Sequence, residues 1–323
     1  MTVACVQSLE AIAKSQAVFL RREALASGLD DKALKRAVRG GILVRVRHGA
    51  YTFAEAWNDA TDEQRHLIRA AAVMRTVRCR CALSHTTAAI LLGADVWDLD
   101  LDSVHLTRQD HKGGRREAGV IQHRGLLPPT EVVSVGDTPC TNAVRTALDV
   151  TTITDVEHAL VVVSSMLRHG LVTEAELIEA APAMTHVPGS LTTNLVLSLA
   201  DARFDRPGEV RTFYALWREG IEAPVPQFEV LDTRGTLVAQ LDFAWPSRRV
   251  WLEFDGRVKY ERLRRPGESA SDVVVREKKR EDLVRRLTGW ICVRITWADL
   301  AHPERIAARV RQAFADQAHS FTG

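Results

Sequence analysis

The chain has little of what marks a secreted or membrane-spanning protein. It contains only five cysteines in 323 residues, and an odd, scattered set of cysteines does not form a disulfide framework in a chain of this size. No apolar run approaches the roughly 20 residues that a membrane-spanning helix needs. The N-terminus also lacks a basic segment followed by an uninterrupted apolar stretch, as a secretory signal would have. We therefore expect free thiols and a soluble, cytoplasmic protein.

The chain also lacks a strong charge of one sign, since its formal net charge is only +2. The basic residues are nevertheless concentrated in two segments, 21–48 and 257–286, and each segment is a candidate phosphate-facing surface or simply a solvated one. Cys79 and Cys81 are separated by one residue, and no second Cys/His pair follows at a finger-like distance. We therefore expect them to be packed in the interior rather than bound to a metal. The length predicts two or three domains.

Residues 1–55 have the pattern of two short helices followed by a hairpin. Asp30 is a candidate N-cap, and Gly40-Gly41 is a typical helix stop. The segment ILVRVRHGAY that follows is rich in β-branched residues and is interrupted at His48-Gly49, which predicts two strands joined by a turn. The order helix, turn, helix, hairpin predicts a winged helix that binds DNA.

The second of these helices carries Leu34 and Val38 on a predicted inner face, which leaves its basic residues on other faces. In the wing, His48 lies beside further basic residues. A small helical domain with an ordinary basic surface is the alternative, but the order of the elements and the placement of charge favour contact with DNA. The predicted DNA-binding residues of this domain are Lys32, Lys35, Arg36, Arg39, Arg45 and Arg47.

Residues 56–202 predict an α/β domain without a recognisable active-site pattern. Thr173 and Glu176 form a candidate capping box. Ser84-His85 and His123-Arg124 are polar positions that stand out, but no nucleophile elbow, phosphate-binding loop or dinucleotide fingerprint accompanies them. We therefore predict that these residues cap helices or form structural hydrogen bonds, and we disfavour a catalytic role.

Residues 203–323 predict a helix, three strands, a basic helix and a further strand. Strand alternation in RVWLEFDG places Glu253 and Asp255 on one face, and antiparallel pairing through the turn at Pro246 would bring Asp242 beside them. Three nearby carboxylates repel one another unless a cation offsets their charge, and carboxylate oxygens suit Mg²⁺. The pattern favours a metal site over a solvated acidic edge. Lys279 and Arg280 on the basic helix are predicted to contact the nucleic-acid backbone.

The motif order Glu209, Gln227, LDFAWP, WLEFDG, basic helix, GWICVRITWADL resembles the PD-(D/E)XK nuclease superfamily, particularly very-short-patch repair endonucleases. The resemblance covers about the last 120 residues. It implies a restriction-endonuclease-like domain, with a central mixed sheet flanked by helices, that cleaves DNA with Mg²⁺ or Mn²⁺. It implies metal binding by Asp242, Glu253 and Asp255, and a catalytic role for Glu209.

The chain departs from this family at one position, because Asp255 stands where the family carries a lysine. Lys259 is the preferred replacement, which makes it part of the predicted catalytic set, and Lys279 is the second candidate. Either lysine is equally explained as a phosphate contact or as a solvated side chain. Water activation in the predicted nuclease therefore depends on a residue outside the usual motif.

A second resemblance covers about residues 8–180. The segments VRGGILVRVRHGAYTF, SHTTAAILLG and GDTPCTNAVRTALDV are similar to AbiEi-type antitoxins of type IV toxin-antitoxin systems. This resemblance implies DNA binding, autoregulation of an operon and a cognate toxin as partner. Two functions thus stay open: an endonuclease in phage defence or repair, whose partner would be a defence-system protein, and a non-catalytic transcriptional regulator. The overall prediction is a mixed α/β protein of three domains.

Overall fold

The chain folds into two compact units, the first formed by residues 1–162 with 171–194 and the second by residues 163–170 with 195–323. The computed structural model describes residues 3–110, 114–117, 119–256 and 270–319. The predicted winged helix and most of the predicted middle region, residues 56–202, belong to the first unit, whereas residues 163–170 and 195–202 belong to the second. The division into three domains rests on sequence character and stays a prediction. The predicted mixed α/β fold class is confirmed, because every sheet is accompanied by helices.

The first unit begins with the elements of a winged helix. Its helices are α1 (Val3–Gln16), α2 (Arg21–Ala26) and α3 (Asp31–Arg39), and its strands are β1 (Phe19–Leu20), β2 (Leu43–Arg47) and β3 (Ala50–Phe53). The strands form an antiparallel sheet in the order β1-β3-β2. Leu9, Phe19 and Leu34 lie in the core between the helices and this sheet. The predicted two helices and hairpin are present, and α1 and β1 complete them.

The rest of the first unit is a six-stranded mixed sheet with helices. The strands are β4 (Cys81–Leu83), β5 (Val104–Arg108), β6 (Arg115–Glu117), β7 (Val120–His123), β8 (Val132–Val135) and β9 (Thr138–Thr141), in the order β6-β7-β5-β4-β9-β8. The helices are α4 (Ala54–Asn58), α5 (Asp62–Met74), α6 (His85–Leu91), α7 (Ala143–Thr151) and α9 (Glu174–Ala180), with the first parts of α8 (Val156–Arg168) and α10 (Thr193–Leu199), whose later residues belong to the second unit. The predicted capping box between Thr173 and Glu176 is confirmed at the start of α9.

The second unit is built around a four-stranded sheet in the order β10-β11-β12-β13. The strands are β10 (Val225–Leu231), β11 (Leu237–Trp245), β12 (Val250–Asp255) and β13 (Ile291–Thr296), and the helices are α11 (Pro207–Arg218), α12 (Ala270–Thr288) and α13 (Pro303–His319). The first three strands pair antiparallel, whereas β12 and β13 are parallel. The predicted order of helix, three strands, helix and strand is therefore present. Among the described residues, every helix is too short or too polar to cross a membrane.

Candidate nucleic-acid interface and acidic site

The helix α3 begins and ends at capping residues that can be recognised in the sequence. The Asp30 side chain accepts a hydrogen bond from the backbone nitrogen of Ala33 at 2.6 Å, which satisfies one of the free donors at the helix start. Leu34 and Ala37 are buried, and Val38, which was predicted to face inward, is half-buried. The chain leaves the helix at Gly40 and turns at Gly41, whose φ of 68° favours glycine.

The predicted basic residues of α3 form one stripe on its outer side. Lys32, Lys35, Arg36 and Arg39 are all exposed, and their spacing of three, four and seven residues places them on the same helix face. Asp31 lies at the helix start and pairs with Arg21, whose guanidinium nitrogen is 2.6 Å from the carboxylate. The outer face of α3 is therefore a row of four cations directed at solvent.

The two predicted basic residues of the wing differ in exposure. Arg45 is exposed, and its Nη2 lies 2.8 Å from Nδ1 of His48. Arg47 is half-buried, and burial lowers the pKa of its guanidinium. It lines a cavity of about 520 Å³ together with Arg78, Arg108 and Arg115. Arg45 is thus placed for contact with a ligand in solution, whereas the half-buried Arg47 lines an open pocket of the first unit.

Glu209, on the first turn of α11, is buried with its carboxylate in a polar setting. Its Oε2 accepts hydrogen bonds from Nε2 of Gln227 at 2.8 Å and from the backbone nitrogen of Asp205 at 2.9 Å. Burial, reinforced by the charge of Asp242, raises the pKa of the Glu209 carboxyl to about 8. The two acids therefore lie close enough to interact, and Glu209 retains a proton at neutral pH.

Gln227 holds an unusual backbone conformation beside these acids. Its φ is 50°, in the left-handed region that non-glycine residues seldom adopt and that is over-represented at functional sites. Its neighbours Pro226 and Phe228 pair with Phe243 and Leu241 of β11. This register places Gln227 opposite Asp242, so the strained residue is the one that joins Glu209 to the acidic strand.

The remaining predicted acidic residues differ in their partners, which are a backbone nitrogen for Asp242 and arginines for Glu253 and Asp255. Oδ2 of Asp242 accepts a hydrogen bond from the backbone nitrogen of Phe254 at 2.7 Å. Oε2 of the buried Glu253 lies 3.1 Å from Nη2 of Arg280. Burial disfavours the charge of Arg294, but Glu281 and, more weakly, Asp255 raise its pKa. The acidic residues thus fall into two groups. Glu209 lies close to Asp242, whereas Glu253 and Asp255 lie close to arginines.

Arg280, the cation that pairs with Glu253, was predicted to bind nucleic acid instead. Arg280 was expected to contact the nucleic-acid backbone, yet it donates to Glu253 and to the backbone oxygen of Gln240. Lys279 is exposed on α12, and Lys259 lies outside the described residues. An arginine stays protonated at any working pH, so Arg280 offsets the charge of Glu253 but does not act as a general base. Arg280 and Glu253 are 27 residues apart in the sequence, so only the folded structure shows that they pair.

The acidic residues have a chemistry that a hard divalent cation fits. Carboxylate oxygens are its preferred ligands, and the raised pKa of Glu209 has burial as its main cause, with the like charge of Asp242 adding to it. Of the predicted ligands Asp242, Glu253 and Asp255, the first two would hold Mg²⁺ or Mn²⁺, with Glu209 next to Asp242, and the metal site stays a prediction. Such an ion lowers the pKa of bound water and stabilises charge on a phosphate oxygen.

The polar positions of the middle region, Ser84, His85 and His123, are part of one buried network. Ser84 precedes α6, and its Oγ lies 2.9 Å from Nδ1 of His85. Nε2 of His123 lies 2.9 Å from Nδ1 of His105, a residue that the sequence did not single out. These contacts agree with the predicted structural hydrogen bonds, but they join residues from three different elements.

Comparison with known proteins bears on part of the chain. Residues 7–54 match the family model described as "Transcriptional regulator, AbiEi antitoxin", a span that coincides with the winged-helix elements. No curated protein matches the sequence. A similar solved structure is the crystal structure of RV2827C protein from Mycobacterium tuberculosis, with 12% identity, coverage of 72% of this chain and 90% of that chain, and a TM-score of 0.40.

Proposed function

We propose that the protein is a DNA-binding transcriptional regulator that contacts duplex DNA with the exposed face of α3. The observation that carries the proposal is the stripe of four cations on the helix that a winged helix presents to the major groove. The family match over residues 7–54 supports it, because the family description is that of a transcriptional regulator. A cognate toxin would be its partner if the regulator acts within a toxin-antitoxin operon.

The cations of α3 would contribute mainly through the DNA backbone. Each lysine or arginine that neutralises a phosphate releases condensed counterions, so affinity falls with salt concentration in proportion to the number of such contacts. The exposed Arg45 of the wing would add one more contact beside the groove. Arg47 lines a cavity and is the least suited of the predicted residues to reach DNA.

The test is a comparison of single substitutions on the same helix and wing. Arg36→Ala should weaken binding to duplex DNA and lower the slope of log affinity against log salt by about 1, because one phosphate contact is lost. Arg47→Ala is the matched control and should leave the salt slope unchanged. Fluorescence anisotropy over a salt series measures both. An Arg36→Ala slope equal to the wild-type slope removes this residue from the interface.

A second candidate function is metal-dependent hydrolysis of DNA by the second unit. The observation that favours it is the buried Glu209, which interacts with the half-buried Asp242 and accepts a hydrogen bond from the strained Gln227. A divalent cation held by Asp242 and Glu253 would replace the proton on Glu209 and supply an electrophile for phosphodiester cleavage. The resemblance of residues 203–323 to a nuclease family agrees with this role, and Asp255 at the lysine position weighs against it.

Incubation of the full chain with single-stranded, duplex and mismatched DNA in Mg²⁺ or Mn²⁺ tests this candidate. Cleavage should be present in the wild type and lost in Asp242→Ala and in Glu253→Ala, since either change removes a carboxylate ligand. Glu229→Ala, an exposed acid on β10, is the control and should cleave normally. If the wild type binds DNA but leaves every substrate intact, the regulator proposal stands and the nuclease proposal is wrong.

A further inference from the structure

Three histidines converge inside the first unit, far from one another in sequence. His85 is the first residue of α6, directly after the strand β4, while His105 lies in β5 and His123 ends β7. The strands β5 and β7 are parallel neighbours, with Thr107 paired to His123 and His105 to Ile121. His85 and His105 are buried, and His123 is half-buried at the rim of the cluster.

The ring nitrogens of these histidines have the separations of a preformed ligand set. One nitrogen from each of the three residues lies within 4.8 Å of the other two, and Nδ1 of His105 is 2.9 Å from Nε2 of His123. The His85 ring lies 3.6 Å from the His123 ring, measured between centroids. Zinc–nitrogen bonds are about 2.0–2.1 Å, so tetrahedral ligand atoms stand about 3.3 Å apart. The rings must therefore rotate so that one nitrogen of each histidine points at a common centre.

Neighbouring polar groups fix the orientation of His85. Its Nδ1 lies 2.9 Å from Oγ of Ser84 and 3.8 Å from Oδ2 of Asp149. Ser84 in turn accepts a hydrogen bond from Thr107 at 2.9 Å, and Asp149 accepts one from Arg145 at 2.7 Å. A histidine that uses one ring nitrogen for such partners presents the other to a metal, and this second shell is typical of metal-binding histidines.

The surroundings also keep the imidazoles in the form that binds metals. Burial lowers the pKa of His105 to about 3 and that of His123 to about 4, and burial together with the neighbouring histidines holds the pKa of His85 well below its usual value. A metal ligand must be deprotonated. Protonation therefore does not compete with a metal ion at neutral pH.

We propose that His85, His105 and His123 bind one transition-metal ion of the zinc class. Three imidazoles suit Zn²⁺, Co²⁺ and neighbouring ions, in contrast to the carboxylates of the second unit, which suit Mg²⁺. Three protein ligands leave a fourth position for water, which is the arrangement of zinc sites that remain open to a further ligand. Binding opens the stack of the His85 and His123 rings, because both nitrogens then point at one centre. The proposal does not depend on DNA binding or on cleavage.

The alternative is a hydrogen-bonded stack of neutral histidines that holds the sheet to α6 without a metal. The two arrangements differ in a measurable way. A metal site takes up one ion per chain with a ligand-field spectrum set by three nitrogens, whereas a stack takes up none. Cobalt is the suitable probe because Co²⁺ in a tetrahedral nitrogen site absorbs visible light and Zn²⁺ displaces it.

The experiment is a titration of the chelator-stripped full chain with Co²⁺, followed by competition with Zn²⁺. We expect one equivalent of Co²⁺ per chain, a visible tetrahedral band, and loss of that band on addition of Zn²⁺ or of chelator. His123→Gln, at the half-buried rim, and His105→Gln should each abolish the band. His186→Gln, an exposed histidine in the same unit, should keep the full stoichiometry. Glu253→Gln reports whether the acidic residues of the second unit hold the metal instead.

The variants are compared only where their far-ultraviolet circular dichroism matches the wild type. If His105→Gln fails to fold, His123→Gln and reversal by chelator on the wild type decide the question. Absence of the tetrahedral band in the wild type, or an unchanged band in His123→Gln, overturns the proposal in favour of the metal-free stack. Loss of the band in Glu253→Gln but not in His123→Gln would assign the metal to the acidic residues instead.

Discussion

At the scale of single residues, Glu209 has the most unusual chemistry in the second unit. It is a buried acid whose hydrogen-bond donors are an amide side chain and a backbone nitrogen, and Asp242 adds a like charge nearby. Two hydrogen bonds do not compensate for the loss of hydration on burial and for the repulsion by the Asp242 carboxylate. The Glu209 carboxyl therefore keeps its proton.

This protonation makes the stability of the metal-free protein dependent on pH. The unfolded carboxyl ionises near its ordinary pKa of 4.5 and the folded one near 8, so between these values the folded state binds the extra proton. The contribution of Glu209 to the free energy of unfolding is therefore present below about pH 4.5 and is lost as the pH rises to about 8. Glu209→Gln should remove this decline.

Denaturant unfolding in the presence of chelator, at several pH values across that window, measures the effect. The wild type should lose more stability towards the alkaline end than Glu209→Gln, whereas the exposed Glu229→Gln should follow the wild type. Because all three proteins share their other titrating groups, the difference between them isolates Glu209. Parallel curves for wild type and Glu209→Gln would show that the carboxyl ionises normally in the folded protein.

At the scale of elements, the start of α11 is positioned by a glycine. A Cβ added at Gly208 would lie 2.1 Å from the ring of Phe254 in β12, far inside van der Waals contact. The absence of a side chain lets the helix approach the strand directly before Glu209. Close packing between α11 and β12 therefore places Glu209 against the strand end, where Asp242 also binds the backbone of Phe254.

Gly208→Ala should destabilise the second unit by about 1–3 kcal/mol, because the added methyl group forces the helix or the aromatic ring to move. Arg218→Ala, at an exposed position of the same helix, should change stability by less than about 0.5 kcal/mol. Thermal unfolding followed by circular dichroism compares them. Equal stabilities for the two variants would mean that α11 does not pack on Phe254 as described.

At the scale of the whole molecule, the two compact units have separate apolar cores. Leu106 is fully buried in the core around the six-stranded sheet, and Leu241 is fully buried in the core beneath α12. A chain with distinct cores need not unfold in a single transition. The regulatory surface on α3 lies in the first unit and the acidic residues in the second, so the two proposed activities are expected to be separable.

Substitution in each core tests this separation. Leu106→Ala and Leu241→Ala should each cost about 2–5 kcal/mol, since each leaves a cavity in a packed interior. Differential scanning calorimetry should resolve two transitions, one shifted by Leu106→Ala and the other by Leu241→Ala. Leu106→Ala should also weaken DNA binding near its own transition temperature, while Leu241→Ala should not. A single transition that both variants shift equally would contradict independent units.

Much of the local structure was predictable because its causes lie within a few residues. The N-cap at Asp30, the glycines that end α3, and the capping box of Thr173 and Glu176 each involve contacts over two to four positions. The alternation in β12 likewise follows from strand geometry. These signals predicted the mixed α/β class and the stripe of cations, although Ala37 is buried where Val38 was expected.

The sequence by itself thus determined the two short helices and the hairpin of the winged helix, the order of elements after residue 203, and which face of α3 carries charge, but not α1 or β1. Only the tertiary structure decided that His85, His105 and His123 meet, that Arg280 pairs with Glu253, and that Arg47 lines a cavity. The physical reason is that such meetings depend on strand order and register, which are set by the packing of both sheet faces. The local periodicity of a sequence does not predict which strands become neighbours in a sheet.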